Sequence, residues 1–222
     1  MPETTGIYPG IIVIQEIFGV NEHIQEVTAR IAREGYVAIA PAIYQRQAPG
    51  FAVGYSEDEV KEGRKHKVQT QAAELLGDIQ ACIDYLYSQP QVKQSGVGTI
   101  GFCFGGHVVY LAATLADVKA TASFYGAQIA TWCPGSEQAT IARTQDIKGA
   151  LYAFFGTEDP LIPNEQVEQI ERELQKHNID HRLFRYEGAT HGFMCGRRRK
   201  SYNPDAAQDA WKKVLDLFSQ KL

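Results

Sequence analysis

The segment Gly101-Phe102-Cys103-Phe104-Gly105-Gly106 lies between two apolar runs, residues 97–100 and 108–115. The first run reads as a strand and the second as a helix. A strand that enters a sharp turn and leaves as a helix is the setting of a nucleophile elbow of the G-x-S-x-G type, here with cysteine at its centre. So sharp a turn admits only small flanking residues, and Gly101 and Gly105 meet that demand. The turn raises the thiol above the sheet edge, close to a helix N-terminus. The partial positive charge and free N–H groups there favour a thiolate and a nearby oxyanion.

An elbow needs a base and an acid, and both follow in the chain. Asp159 lies in Gly156-Thr157-Glu158-Asp159-Pro160, after an apolar run and before a helix-like segment. His191 lies in Gly188-Ala189-Thr190-His191-Gly192-Phe193, after the strand-like residues 182–186. The order nucleophile, acid, histidine is that of α/β-hydrolases and differs from the other two familiar triad orders.

The rest of the chain agrees with an α/β-hydrolase fold. Strand-like and helix-like segments alternate throughout, which predicts a mostly parallel sheet flanked by helices. Strands are expected at 10–15, 36–40, 97–100, 120–125, 150–155 and 182–186. Asn21 is placed to cap a helix whose inner face carries Ile24, Val27 and Ile31. Residues 57–87 read as helix in two pieces, the second with Leu75, Leu76, Ile79, Cys82, Ile83 and Leu86 inward. Asn164 opens a helix burying Val167, Ile170 and Leu174, and the last helix, about 205–220, buries Trp211, Val214, Leu215 and Phe218. The 222 residues suit one domain spanning 1–222, with no internal repeat or linker. In such a sheet ligands bind outside the carboxyl ends of the strands. Gln15-Glu16-Ile17-Phe18-Gly19, Cys103, Asp159 and His191 all fall at such ends.

A net charge of −4 gives no reason to expect nucleic-acid binding or membrane attachment. No apolar stretch is long enough to span a bilayer, and the N-terminus lacks a signal-peptide pattern. The four cysteines (82, 103, 133 and 195) show neither paired nor metal-type spacing, which points to a reducing cytoplasm and to no metal or other cofactor.

The sequence resembles the dienelactone hydrolase (carboxymethylenebutenolidase) family. The matching segments are Gln15-Glu16-Ile17-Phe18-Gly19-Val20-Asn21, Arg46-Gln47-Ala48-Pro49-Gly50, the Cys103 elbow, the Asp159 loop and Thr190-His191-Gly192-Phe193. They span nearly the whole chain. The resemblance implies an α/β-hydrolase core that opens a cyclic enol-lactone, with a Cys103–His191–Asp159 triad. It implies Glu16 as the group that takes the thiol proton when substrate arrives, and the N–H groups of Ile17 and Phe104 as the oxyanion hole. Read without the resemblance, Glu16 is either a participant beside the thiol or a surface carboxylate before a turn. The family often carries an extra N-terminal hairpin; residues 1–8 are too few for one, so a short or exposed sheet edge is expected.

The match thins at the substrate carboxylate. The family holds it with two arginines, one of them four residues after the histidine, where this chain has Cys195. Arg197, Arg198 and Arg199 read as a solvated basic turn, with inward reach as the alternative. The second arginine falls near Lys61 and Arg64. Tyr125, Phe18 and Trp132 are candidates for the pocket wall. His107 reads as a packing or capping residue, and His23, His66, His177 and His181 as surface residues. The expectation is therefore a hydrolase of a small lactone or activated ester. The alternatives are a broader carboxylesterase or thioesterase on the same triad, and a non-catalytic binding protein of this fold.

Overall fold

The computed structural model describes residues 6–222. Its centre is a six-stranded, all-parallel sheet in the order β2-β1-β3-β4-β5-β6. The strands are β1 (Tyr8–Ile14), β2 (Val37–Ile39), β3 (Val92–Phe102), β4 (Val118–Phe124), β5 (Ala150–Gly156) and β6 (His181–Tyr186). All six expected strands form. β3 starts five residues earlier than its apolar core suggests, because Tyr8 of β1 pairs with Val92 across a register shift.

Both faces of the sheet are covered, so the inner strands are apolar on both sides. Along β1, Ile11 and Val13 pack with Ile24 and Ile31 of α1 (Glu22–Arg33) and Trp211 and Phe218 of α6 (Pro204–Lys221). Ile12 and Ile14 pack the other way, with Leu75 and Ile79 of α3 (Ala72–Ser88) and Val108 of α4 (Phe104–Ala112). Asn21 caps α1 by accepting the Ile24 N–H, as its side-chain type dictates. In α3, Leu76 and Cys82 are half-buried at the edge of the buried stripe, and in α6 Leu217 takes the buried place expected of Leu215. Residues 57–87 do divide in two: α2 (Glu57–Val68) begins with a capping box between Ser56 and Glu59 and stops before α3. A 3-10 turn at Thr140–Asp146 and α5 (Asn164–Lys176) complete the elements. Val167, Ile170 and Leu174 of α5 are buried as expected.

The chain leaves β1 towards β2 on one side and returns to β3 on the other. The crevice between the carboxyl ends of β1 and β3 is therefore the topological switch point, where open α/β sheets bind ligands. β2 forms a three-residue edge, while the expectation for the N-terminal segment rests largely on residues 1–5, which lie outside the described part. No helix among the described residues is long and apolar enough to cross a membrane.

Candidate active site

Cys103 occupies the turn between β3 and α4 with φ 55° and ψ −115°, a conformation that costs an L-residue on the order of 1–3 kcal/mol. Close packing holds it there. A Cβ on Gly101 would stand 2.1 Å from the Gly105 carbonyl oxygen, and one on Gly105 would stand 2.4 Å from that of Ile14. The Cys103 N–H donates to the Phe124 carbonyl at 3.0 Å, tying the elbow to the end of β4. The partly buried thiol opens on a cavity of about 420 Å³ that is also lined by His191, Ile17 and Phe18.

The loops after β5 and β6 are bound to each other. Glu158 N–H donates to Ala189 O at 3.0 Å, Thr157 N–H to Tyr186 O at 3.0 Å, and Gly188 N–H to the Thr157 hydroxyl at 3.0 Å. This brings His191 Nδ1 to 2.7 Å from Asp159 Oδ2, with the Asp159 side chain fully buried. The other carboxylate oxygen, Oδ1, accepts the Leu161 N–H at 2.8 Å, so the acid is held at both ends. Burial pushes the His191 pKa down, but the negative charge of Cys103 and the Asp159 hydrogen bond outweigh it and raise the pKa to about 10. His191 Nε2 is buried and has no hydrogen-bond partner among the described residues. The pair thus offers an oriented imidazole that gains from carrying a proton whenever the sulfur is ionised.

Ile17 lines the cavity and Phe104 directly follows Cys103; both are buried, and neither backbone N–H donates to another described residue. Two unclaimed donors beside a nucleophile are what an oxyanion needs. Phe104 N–H is free because it opens a helix; Ile17 N–H is free because it sits in the turn after β1.

Glu16 is not a surface carboxylate. It is fully buried, and neither of its oxygens has a hydrogen-bond partner among the described residues. The cation nearest to it is Arg198, with Nη1 3.7 Å from Oε1. Tight turns from Cys195 onward fold Arg198 inward, with its N–H on the Cys195 carbonyl at 2.9 Å. The basic turn is thus split: Arg197 pairs outside with Glu22 and Glu26, Arg199 is exposed, and Arg198 lines the cavity.

The cavity carries two further cations, Arg64 and Lys67 of α2. Lys67 lies 4.6 Å from the centre of the Trp132 ring and hydrogen-bonds Gln128. Lys61 is elsewhere: its side chain is 67% exposed and pairs with Asp58 at 2.9 Å. Sequence reasoning passed over Lys67, although Val60, Arg64, Lys67 and Val68 recur at helical spacing and all line the cavity. Tyr125 does not reach the cavity wall. It is buried with its ring edge-on to His191, centroids 5.0 Å apart, and acts as a floor for the imidazole. Trp132 is likewise off the wall, packed against Phe104 and His107.

Among the histidines, His107 packs as expected, bonded to the Ala127 carbonyl at 2.8 Å and the Thr140 hydroxyl at 2.7 Å. His23 is a correction. It is buried against Phe102, since the first turn of α1 faces the sheet and not solvent. His66 is also drawn in, between Tyr44 and Phe51.

A parallel sheet with helices on both faces, an elbow after β3 and a histidine after the last strand define an α/β-hydrolase. The sequence profile of the dienelactone hydrolase family matches residues 1–222, and the chain belongs to that family, whose members are hydrolases acting on esters. A Synechocystis sp. protein that bears the name carboxymethylenebutenolidase is 58% identical over 221 residues, covering 100% of this chain and 89% of its own. One of the same name from Escherichia coli K12 is 31% identical, covering 98% of this chain and 79% of its own. The crystal structure of a Klebsiella pneumoniae protein that bears the name dienelactone hydrolase superposes with a TM-score of 0.88 at 29% identity, over 99% of this chain and 90% of that one. A dienelactone hydrolase-like promiscuous phosphotriesterase from metagenomic libraries superposes with a TM-score of 0.80 at 25% identity, over 98% and 88%.

Proposed function

We propose that the protein opens an anionic enol-lactone, or cleaves a similarly activated ester, with Cys103 as nucleophile. The observation that carries this reading is the shared cavity of Cys103 and His191, with His191 held by Asp159 at 2.7 Å. Glu16 takes the thiol proton as substrate enters. The Cys103 sulfur adds to the lactone carbonyl, and the oxyanion is received by the N–H groups of Ile17 and Phe104, one such donor being worth about 3 kcal/mol. The carbonyl re-forms as the ring C–O bond breaks, and the enolate leaves with a proton delivered by way of His191. Water, deprotonated by His191, then adds to the thioester, and the sulfur departs to release the acid. Asp159 keeps the imidazole in the useful tautomer and stabilises its cation.

The nucleophile also selects the substrate. A thiolate is itself a good leaving group, so an adduct from a simple alkyl ester collapses backwards. An enolate departs readily enough to compete. Arg64, Lys67 and Arg198 around the cavity suit a substrate that carries a carboxylate, taking the place of the arginine that is Cys195 here. A reduced Cys103 fits a cytoplasmic setting, and the whole of 1–222 is read as one domain.

The test is hydrolysis of cis- and trans-dienelactone and of p-nitrophenyl acetate by wild type and Cys103→Ala. Dienelactone turnover that disappears in the variant supports the reading. Turnover of the aryl ester alone keeps the triad and moves the substrate to a broader ester class. Turnover that survives in Cys103→Ala sinks it.

A further inference from the structure

Behind the catalytic rim the fold gathers three metal-binding side chains that lie far apart in the sequence. One ligand atom each from Glu16, His23 and Cys195 lies within 4.8 Å of the others, and all three residues are buried. We propose that Glu16, His23 and Cys195 form a site for a thiophilic divalent cation, with Zn2+ as its probe.

The donor set is a carboxylate, an imidazole and a thiol, the three ligand types zinc takes from proteins. Both Glu16 oxygens and His23 Nε2 are buried without a hydrogen-bond partner among the described residues, the Arg198 contact of Glu16 being an ion pair at 3.7 Å. Buried polar groups are almost always satisfied, so unbonded atoms on two of three neighbouring ligand residues call for an occupant. In a tetrahedral zinc site neighbouring ligand atoms stand about 3.4–3.8 Å apart, so these three need to close by about 1 Å.

The surroundings fit as well. Asn21 Nδ2 donates to the Tyr55 hydroxyl at 3.2 Å, which leaves the Tyr55 proton free to be given to Cys195 Sγ at 3.3 Å. A donor aimed at the sulfur is the outer-shell contact that steadies a metal-bound thiolate. The metal has to displace the Cys195 thiol proton to solvent. A second cavity, of about 590 Å³ and lined in part by Glu22, His23, Tyr55 and Glu59, reaches the site at His23 and does not include Cys103. Arg198, 3.7 Å from Glu16, is the competing cation and has to swing aside.

Occupancy engages the Glu16 carboxylate. Resting on the role proposed for Glu16 above, bound Zn2+ therefore inhibits hydrolysis; the binding itself does not depend on that role. The experiment measures Zn2+ affinity by competition with a chromophoric chelator, and the near-ultraviolet sulfur-to-metal band with Co2+. Wild type and Cys103→Ala are expected to bind one ion per chain with equal affinity and to show the band. Cys195→Ser is expected to lose the band, and both it and His23→Gln to lose more than the about 10–100-fold that an outer-shell change costs. Arg198→Gln is expected to bind more tightly. Circular dichroism melts establish that each variant is folded. If Cys195→Ser melts early, Cys195→Ala and His23→Asn replace the first pair.

Absence of micromolar binding in wild type overturns the site. So does binding that survives Cys195→Ser but vanishes in Cys103→Ala, because it would then belong to Cys103 and His191. Binding without inhibition upholds the site and tells against the role proposed for Glu16.

Discussion

Arg198 Nη1 stands 3.7 Å from Glu16 Oε1, the two residues being brought together by the loops after β6 and β1. The carboxylate is fully buried and the arginine about a quarter exposed, so this contact is the main compensation for a charge held away from water. Removing one partner of such a pair costs more than removing both. Arg198→Gln is therefore expected to lose about 1–3 kcal/mol of stability, discounted for the exposure of the arginine. The double variant Glu16→Gln/Arg198→Gln should recover at least half of that. Urea unfolding of the four proteins measures the coupling, and additive losses would show that the pair does not interact.

Asp159→Asn tests the orienting carboxylate with little change of shape. The Asn side-chain oxygen can still accept the Leu161 N–H, so the fold should hold. With that oxygen on Leu161, the amide NH2 faces His191 Nδ1 and can donate to it only when the imidazole is in the wrong tautomer. We expect kcat for p-nitrophenyl acetate to fall by about 10²–10⁴ with KM nearly unchanged. A fall of less than tenfold would remove Asp159 from the chemistry.

The elbow depends on atoms that leave no room. A Cβ on Gly105 would lie 2.4 Å from Ile14 O and 2.5 Å from Gln15 O, forcing α4 and the end of β1 apart beside the proposed oxyanion donor Ile17 N–H. Gly105→Ala should cost about 1–3 kcal/mol by overpacking and should abolish activity even where the protein stays folded. Gly77, exposed on α3 with nothing within 4 Å of its Cβ position, is the control. Gly77→Ala should gain about 0.4–1 kcal/mol and leave kcat alone. Equal effects at the two sites would show that the close packing at the elbow carries no weight.

His107 makes acid stability predictable. Burial pushes its pKa down to about 4, against 6.5 in the unfolded chain. The unfolded state thus binds the extra proton first, and stability is complete above pH 6.5 and falls as pH drops towards 4. At pH 5 the loss from this one group is about 2 kcal/mol. His23, lowered in the same direction, adds to it. His191 works the other way. Its raised pKa gives stability that is present below pH 6.5 and is lost only as pH climbs through about 10. Urea midpoints between pH 7.5 and 5 should fall in wild type and fall less in His107→Gln. A flat wild-type profile would contradict the buried neutral imidazole.

What the sequence makes legible here is what is local. Strand and helix periods, the Asn21 cap and the glycines of the elbow act within a few residues, and each predicted element forms. The loops proposed to carry the triad are legible because all three end a strand of one parallel sheet, whose carboxyl edge is a shared address. Residues whose role depends on side-chain direction across the fold are not. Arg198 turns inward because the chain coils tightly after Cys195, while Arg197 beside it turns outward. His23 is hidden because α1 sets its first turn on Phe102, and its nearness to Glu16 and Cys195 exists only once β1 and the loop after β6 share an edge. No spacing along the chain encodes that.

The cations of the cavity yield the last prediction. Arg64 and Lys67 project from one face of α2, and Arg198 approaches from the loop after β6, so a carboxylate entering beside Cys103 meets positive charge from two sides. Lys67 is partly desolvated, which lowers its pKa against the opposing charge of Cys103 and leaves its charge less screened than that of a surface lysine. Lys67→Met keeps the aliphatic stem against Trp132 and removes only the charge. KM for dienelactone should rise by about 10–100-fold, which is about 1.4–2.8 kcal/mol, with kcat little changed, since the interaction is made equally in ground and transition states. The neutral p-nitrophenyl acetate should show no change. Raising salt should increase the wild-type KM for dienelactone and leave that of the variant less affected. If both substrates respond equally to Lys67→Met, the lysine shapes the cavity and does not read the substrate's charge.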